Sequence, residues 1–325
     1  MTKSLLLVAG LVLWWSAAVA EPLESWNDGV AKARIMSFVE TVTQEGGPDY
    51  VAPEDRIAVF DNDGTLWAEQ PLYFQLLFAM DYLAERGAAD PSILSTDILK
   101  AAAVGDVETV LGGGHAALNE VMTVSHSGMS VEEFTRAARA WLDTTPHPTT
   151  NQPFISHIYQ PMLELLAYLR NEGFETYIVT GGGIHFVRSF SDDVYGIPPE
   201  NVVGSMGGAE YRVVDGVPEI VKLPDVFFVD DKQGKPVGID RAIGRRPILA
   251  FGNSDGDFEM LEWTSTGDGP RLAALIHHTD ADREWAYDRD SHIGRLVRGL
   301  DEGADRNWLI VNMDAAWTQI FPGDE

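Results

Sequence analysis

A doubly wound α/β sheet carrying a helical insert is the fold class this sequence predicts, and three observations carry the prediction. Short apolar runs at 56–61, 175–180 and 247–251 each close on a loop of glycine and polar residues, the pattern of buried parallel strands that deliver side chains at their carboxyl ends. Helical segments alternate with strands from residue 161 onward. Between the first and second runs, residues 71–153 read as mostly helical.

In chain order, residues 24–44 form a first amphipathic helix on the spacing of Trp26, Val30, Phe38, Val39 and Val42, ended by Pro48 and Pro53. The strand at 56–61 runs into Asp61-Asn62-Asp63-Gly64-Thr65. The insert divides into helices at 73–86, 107–124 and 130–142; glycines 112–114 interrupt or divide the second, and Ser130-Val131-Glu132-Glu133 opens the third as a capping box. Three prolines within 144–153 mark a connector. A helix at 161–170 leads to the strand at 175–180, Gly181-Gly182-Gly183 and a helix at 184–194. A short strand at 202–203, a hairpin at 211–221 turning on Asp215-Gly216, and strands at 247–251 and 272–276 follow. The segment 281–325, with Trp285, Trp308 and Trp317, is expected to dock as an extra helix and strand. The domain reading is therefore a leader at 1–20, a first helix and core strand at 21–70, the insert at 71–153, the main core at 154–280 and an extension at 281–325.

Composition narrows the function. The chain has 325 residues with 23 basic and 50 acidic side chains, a formal charge of −27, which argues against a nucleic-acid partner. It has no cysteine, which excludes disulfides, a thiolate nucleophile and Cys-ligated metals. With 45% hydrophobic residues it can bury a sizeable core.

The first twenty residues read as a cleaved export signal: Lys3, an apolar run over 5–15, and Ala18-Val19-Ala20 before Glu21. The run is short of the roughly 20 apolar residues of a spanning helix, so no stable membrane anchor is expected after cleavage. Periplasmic or secreted localisation follows, and loss of Lys3 takes the charge from −27 to −28.

Asp61 and Asp63, Thr180 with its glycines, and residues 253–257 all sit where predicted strands end, so they should converge in one crevice. An Asp-x-Asp pair alone is weak, because acidic residues after a strand are often solvated. Here it coincides with a glycine, a threonine, a second acidic loop and a lysine between them.

The segment Phe60-Asp61-Asn62-Asp63-Gly64-Thr65-Leu66 resembles the first signature of the haloacid dehalogenase superfamily of phosphatases. Thr180-Gly181-Gly182-Gly183 resembles the second, Lys235 in Gly234-Lys235-Pro236 the third, and Gly252-Asn253-Ser254-Asp255-Gly256-Asp257 the fourth. The resemblance covers residues 56–276 and looks most like the phosphoserine-phosphatase branch. It implies a Rossmann-like parallel sheet core whose inserted helices form a cap that excludes water and reads the leaving group.

The chemistry follows from the residue types. Asp61 is the candidate nucleophile, forming an aspartyl-phosphate. Asp63 can protonate the leaving alcohol and then deprotonate the attacking water. Thr180 and the N–H groups of Gly181 and Gly182 can hold phosphoryl oxygens at a helix N-terminus, with Lys235 as fixed positive charge. Mg²⁺ suits an oxygen-rich site, with Asp61, Asp63, Asn253 and Asp257 as candidate ligands. Members that dehalogenate haloalkanoates typically lack the second aspartate, so Asp63 argues for phosphate hydrolysis.

The fourth motif departs from the branch's pattern, because Asn253 stands where an aspartate is usual. Asn253 is expected to ligate through its amide oxygen, Asp257 to act through a bridging water or from behind the ligands, and Asp255 competes for the role. Glu69 and Gln70, at the start of the insert, either touch substrate or cap the next helix. The branch's cap arginine has no recognisable counterpart.

Further residues have bland readings beside functional ones. His277 and His278 either approach the site or are structural. His115 and His126 show no metal spacing, Trp67 either lines the pocket or packs at the cap hinge, and Arg188 reads as a helix-surface charge. The expected activity is Mg²⁺-dependent hydrolysis of a small phosphomonoester, phosphoserine-like or broader. The alternatives are phosphotransfer through the same intermediate and a catalytically weakened phosphate-binding protein. Oligomeric state is not readable.

Overall fold

The computed structural model describes residues 22–323, so the leader at 1–20 and its junction with Glu21 lie outside the described residues. The chain opens with α1 (Val30–Thr43), β1 (Ile57–Phe60) and α2 (Phe74–Ala89), then α3 (Asp97–Ala103), α4 (Val107–Gly112), α5 (Gly114–His126) and α6 (Val131–Thr144). Next come α7 (Gln160–Asn171), β2 (Glu175–Gly183), α8 (Ile184–Val187), α9 (Ser191–Tyr195), and the hairpin of β3 (Val202–Val214) and β4 (Val217–Phe228). The remaining elements are α10 (Gly234–Ala242), β5 (Leu249–Gly252), α11 (Phe258–Ser265), β6 (Leu272–His277), α12 (Arg298–Glu302), β7 (Leu309–Asn312) and α13 (Met313–Ala316).

The seven strands form one sheet in the order β4-β3-β2-β1-β5-β6-β7, parallel throughout except for the antiparallel β3–β4 pair. Alternation along β1 explains why the run is apolar on both faces. Ala58 and Phe60 face one buried cluster with Phe251 and Ile276, while Ile57 and Val59 face another with Ala250, Leu275 and Leu261. The chain leaves β1 towards β2 on one side and is joined by β5 on the other. The carboxyl ends of these three neighbours therefore meet at the point where strand order reverses.

Helices α2–α6 fill the connection between β1 and β2. They have a small core of their own, built on Leu76, Met80, Leu83, Leu99, Val110 and Val121. Phe78 and Phe134 join the main core instead, and Phe78 stacks near Phe186 of α8 with centroids 5.7 Å apart. The cap is also bound to β4: Gly128 N–H donates to Lys222 O and Lys222 N–H to Met129 O, each at 2.9 Å.

Several expected elements differ in extent. The first helix starts at Val30, because Trp26 is used elsewhere: it packs edge-on against Trp317 and its indole donates to Pro161 O at 2.9 Å. The helix expected at 107–124 is two, divided at Gly113, and that expected at 184–194 is also two. The strand at 202–203 and the hairpin at 211–221 belong to one long ribbon. Helices α3, α10 and α11 were not foreseen.

Candidate active site

Asp61 follows β1 directly, and its N–H completes the β1–β5 ladder on Phe251 O at 2.9 Å. Lys235 lies in the first turn of α10, which packs against β2 and β3. From there its ammonium donates to Asp61 Oδ1 at 2.5 Å, Asp257 Oδ1 at 2.6 Å and Val179 O at 2.8 Å. All three donors of the ammonium are thus satisfied in a buried pocket, and the first, third and fourth motifs are joined through one nitrogen.

Asp63 lines the same cavity of about 320 Å³ as Asp61, Gly181, Gly182 and Lys235. The Trp67 indole donates to Asp63 Oδ1 at 2.9 Å, while Trp67 is itself fully buried against Phe74, Phe186 and Phe190. Trp67 thus sets the carboxyl's direction from behind and lines no part of the cavity. Burial raises Asp63 above the ordinary carboxylate range, the Trp67 and Lys235 contacts working the other way. That direction suits a group that must hold a proton for a leaving alcohol.

Burial, then the neighbouring Asp257, push Asp61 well above the ordinary range, and Lys235 pulls against them. Burial works against the Lys235 ammonium too, but Asp257 and Asp61 outweigh it and hold its pKa above the lysine value.

Glu69, expected either to touch substrate or to cap the next helix, is buried and lines the cavity. Its Oε1 accepts from Asn253 Nδ2 at 2.7 Å and from Tyr287 OH at 2.8 Å. Two glycines with positive φ make room for this. A Cβ on Gly294 would fall 1.8 Å from Glu69 Oε1, and one on Gly64 would fall 2.0 Å from Asn253 Nδ2. Burial raises Glu69 well above its ordinary value.

Other expectations are corrected. Asp255 does not compete for the site: its carboxylate accepts from Val297 N and Gly299 N at 3.1 Å and anchors the start of α12. Asp257 is a partner of lysine and backbone. Its Oδ2 accepts from Asn253 N and Ser254 N at 3.0 Å while Oδ1 takes Lys235, a place behind the candidate ligands that is one of the two roles expected of it. Gln70 faces Ser291 and does not line the cavity. The phosphoryl cradle is not an open nest at a helix N-terminus. β2 runs on to Gly183, Gly182 N–H is held by Thr180 Oγ1 at 2.9 Å, and Gly183 N–H by Gln75 Oε1 at 2.7 Å. Thr180 lies beneath the glycines that line the cavity.

His277 bonds Asn312 and Asp288 and lines no part of the cavity. His278 is buried behind the first motif, Nε2 on Gly64 O at 2.8 Å and Nδ1 on Glu284 Oε2 at 3.2 Å. Arg188 ties Pro199 O and Val202 O. Sequence reasoning missed Gln75, whose place on an apolar helix face carried no signal, and Lys222, hidden in the hairpin.

The donor set fits a hard divalent cation. Asp61 and Asp257 share the Lys235 ammonium and Asp63 and Glu69 are buried nearby, so acidic groups outnumber the one cation; burial holds Asp61, Asp63 and Glu69 towards their neutral forms, which a bound cation would reverse. The free donors are carboxylate and amide oxygens from Asp61, Asp63 and Asn253. Among the described residues no three acidic or histidine side chains are grouped as a metal site, so this set depends on the Asn253 amide.

The sequence profile of the haloacid dehalogenase-like hydrolases matches residues 58–262, which span all four motifs. The chain belongs to this family. No curated protein matches it. Among solved structures, a conserved functionally unknown protein from Anaerococcus prevotii DSM 20548 is 18% identical, covering 76% of this chain and 85% of its own, with a TM-score of 0.50. A protein of unknown function from Bordetella pertussis Tohama I is 16% identical over 79% of this chain and 98% of its own, with a TM-score of 0.49. A phosphoserine phosphohydrolase-like protein from Francisella tularensis is 19% identical over 77% and 98%, with a TM-score of 0.40. The first likeness shows a shared fold and says nothing of substrate.

Proposed function

We propose that this hydrolase cleaves phosphomonoesters through an aspartyl-phosphate on Asp61, with Mg²⁺ as cofactor. The observation that carries the reading is the Lys235 ammonium shared by Asp61 and Asp257 in a cavity that Asp63 also lines. Lys235 fixes Asp61 and supplies positive charge where phosphoryl oxygens would lie. Asp61 attacks phosphorus as the ester P–O bond breaks, and the departing alkoxide takes the proton of Asp63. Asp63, now ionised, removes a proton from water; the hydroxide attacks the aspartyl-phosphate, releasing phosphate and restoring both residues. Asp61, Asp63 and the Asn253 amide oxygen would hold Mg²⁺, which neutralises charge on the phosphoryl oxygens.

Folded protein supplied with Mg²⁺ should release phosphate from p-nitrophenyl phosphate. Asp61→Asn should reduce kcat by on the order of 10³-fold or more, as loss of a covalent nucleophile does. Unchanged turnover in that variant would end the reading.

Export is part of the proposal and rests on residues 1–20. Mass spectrometry of the chain from its native host should find a mature terminus at Glu21; an intact leader in the cytoplasm would contradict it.

A further inference from the structure

The family profile ends at residue 262, yet the segment that follows β6 is bonded to the loops of both the first and the fourth motif. His278 Nε2 meets Gly64 O at 2.8 Å, Asp255 N–H donates to Arg295 O at 2.9 Å, and Tyr287 OH donates to Glu69 Oε1 at 2.8 Å. The Tyr287 ring stacks on His278 with centroids 4.3 Å apart, and Glu284 holds His278 in turn, both side chains being buried. Gly294 leaves the space in which tyrosine and glutamate meet. A Cβ there would fall 1.8 Å from Glu69 Oε1 and 2.7 Å from Tyr287 Cε2.

Residue 253 gives this contact its purpose. An aspartate has two equivalent oxygens, so either way round one of them can face a cation. An asparagine has an oxygen at one end and an NH₂ at the other, and a half-turn about a soft torsion exchanges them. Only the oxygen end can ligate a hard cation. Here Asn253 Nδ2 is held 2.7 Å from Glu69 Oε1, while Oδ1 takes only a 3.4 Å bond from Thr65 Oγ1.

That orientation holds as long as Oε1 is an acceptor, because the flipped amide would then press oxygen against oxygen. A carboxyl with its proton on Oε1 would donate to Oδ1 and stabilise the flipped amide instead. Tyr287 closes that option by donating to Oε1, which leaves any proton to Oε2, an atom with no hydrogen-bond partner among the described residues.

We infer that Tyr287 is a positioning residue for this hydrolase: through Glu69 it turns the Asn253 amide nitrogen to the carboxyl and leaves the amide oxygen to the cation. The extension thereby supplies what an asparagine in the fourth motif needs and an aspartate does not. This rests on the reading of Asp61, Asp63 and Asn253 as cation ligands.

Mn²⁺, whose free ion is counted by electron paramagnetic resonance, is the probe for the full chain in place of Mg²⁺. Tyr287→Phe keeps the ring and its stack on His278 and removes only the hydroxyl. It should weaken Mn²⁺ binding by about 10- to 100-fold, the usual effect of losing a group that orients a metal ligand. The Mg²⁺ concentration for half-maximal phosphate release should rise with it, while kcat at saturating Mg²⁺ stays within about twofold. Tyr159→Phe is the control, since it removes a 2.7 Å bond from another buried tyrosine, to Glu284, without touching Glu69. It should lower the urea midpoint yet leave Mn²⁺ affinity within about twofold. Unchanged affinity in Tyr287→Phe overturns the assignment, and so does an equal loss in Tyr159→Phe. In the metal-free wild type, one Asn253 side-chain amide proton should exchange slowly with solvent by NMR; fast exchange of both would mean the amide is not fixed. Mn²⁺ binding needs no turnover. If no ester is hydrolysed yet Mn²⁺ binds and Tyr287→Phe weakens it, the hydrolase reading fails and the positioning role stands. A wild type that binds no Mn²⁺ overturns that role whatever its activity.

Discussion

Residue 253 shows how one substitution is absorbed by its neighbours. An aspartate there would put two buried carboxylates in contact, since Asn253 Nδ2 lies 2.7 Å from Glu69 Oε1. The amide turns a repulsion into a hydrogen bond, and Glu69 supplies a carboxyl beside the position where the fourth motif usually has one. Asn253→Asp alone should therefore lower stability in metal-free protein by about 3–5 kcal/mol, the usual cost of an uncompensated buried charge. Adding Glu69→Gln should recover most of the loss, as read from urea midpoints in a double-mutant cycle. Strictly additive effects would dissolve the pairing. Asp61, Asp63 and Lys235 were legible because their motifs are contiguous in sequence. The Glu69 pairing was not, since it depends on Gly64 and Gly294 clearing space from two distant segments.

At the scale of elements, the junction between β4 and α10 holds the least comfortable group. Asp230 is fully buried there, neither carboxyl oxygen has a partner, and its Oδ1 lies where a Cβ on Gly238 would be 2.2 Å away. Burial, opposed by Lys235, raises its carboxyl from 3.8 to about 7. A raised folded-state value means the native chain favours the protonated form. Its contribution is complete below about pH 4, declines as the unfolded chain ionises, and is lost above about pH 7. The full swing is on the order of 4 kcal/mol, from the difference between the two values. Denaturant melts across that window should show wild-type stability falling with pH more steeply than Asp230→Asn; parallel slopes would refute it. The sequence disclosed the central strands, where apolar runs are unbroken, but understated this ribbon. Glycines 204, 207 and 208, and Pro218 and Pro224, read locally as breakers, and only pairing over the full ribbon overrides them.

For the whole molecule, strand alternation was enough to specify the sheet, because a parallel core needs strands apolar on both faces and helices to cover them. The edges were less legible, since β7 is half-exposed and depends on β6 for its register. The formal charge of −27 surrounds a cavity meant for anions. Screening should weaken that long-range repulsion, so kcat/KM for an anionic phosphate ester should rise as monovalent salt is added at saturating Mg²⁺. A steep fall under those conditions would mean that local attraction, not global repulsion, governs capture.

The bonds between the cap loop and β4 have a further consequence. β4 is the outermost strand on its side of the sheet, and it is the cap that occupies the peptide groups of Lys222. Without those bonds an unpaired strand edge would lie bare next to the exposed apolar side chains of Val226 and Phe227, so the loop that fixes Lys222 also shields an edge prone to pairing with another chain.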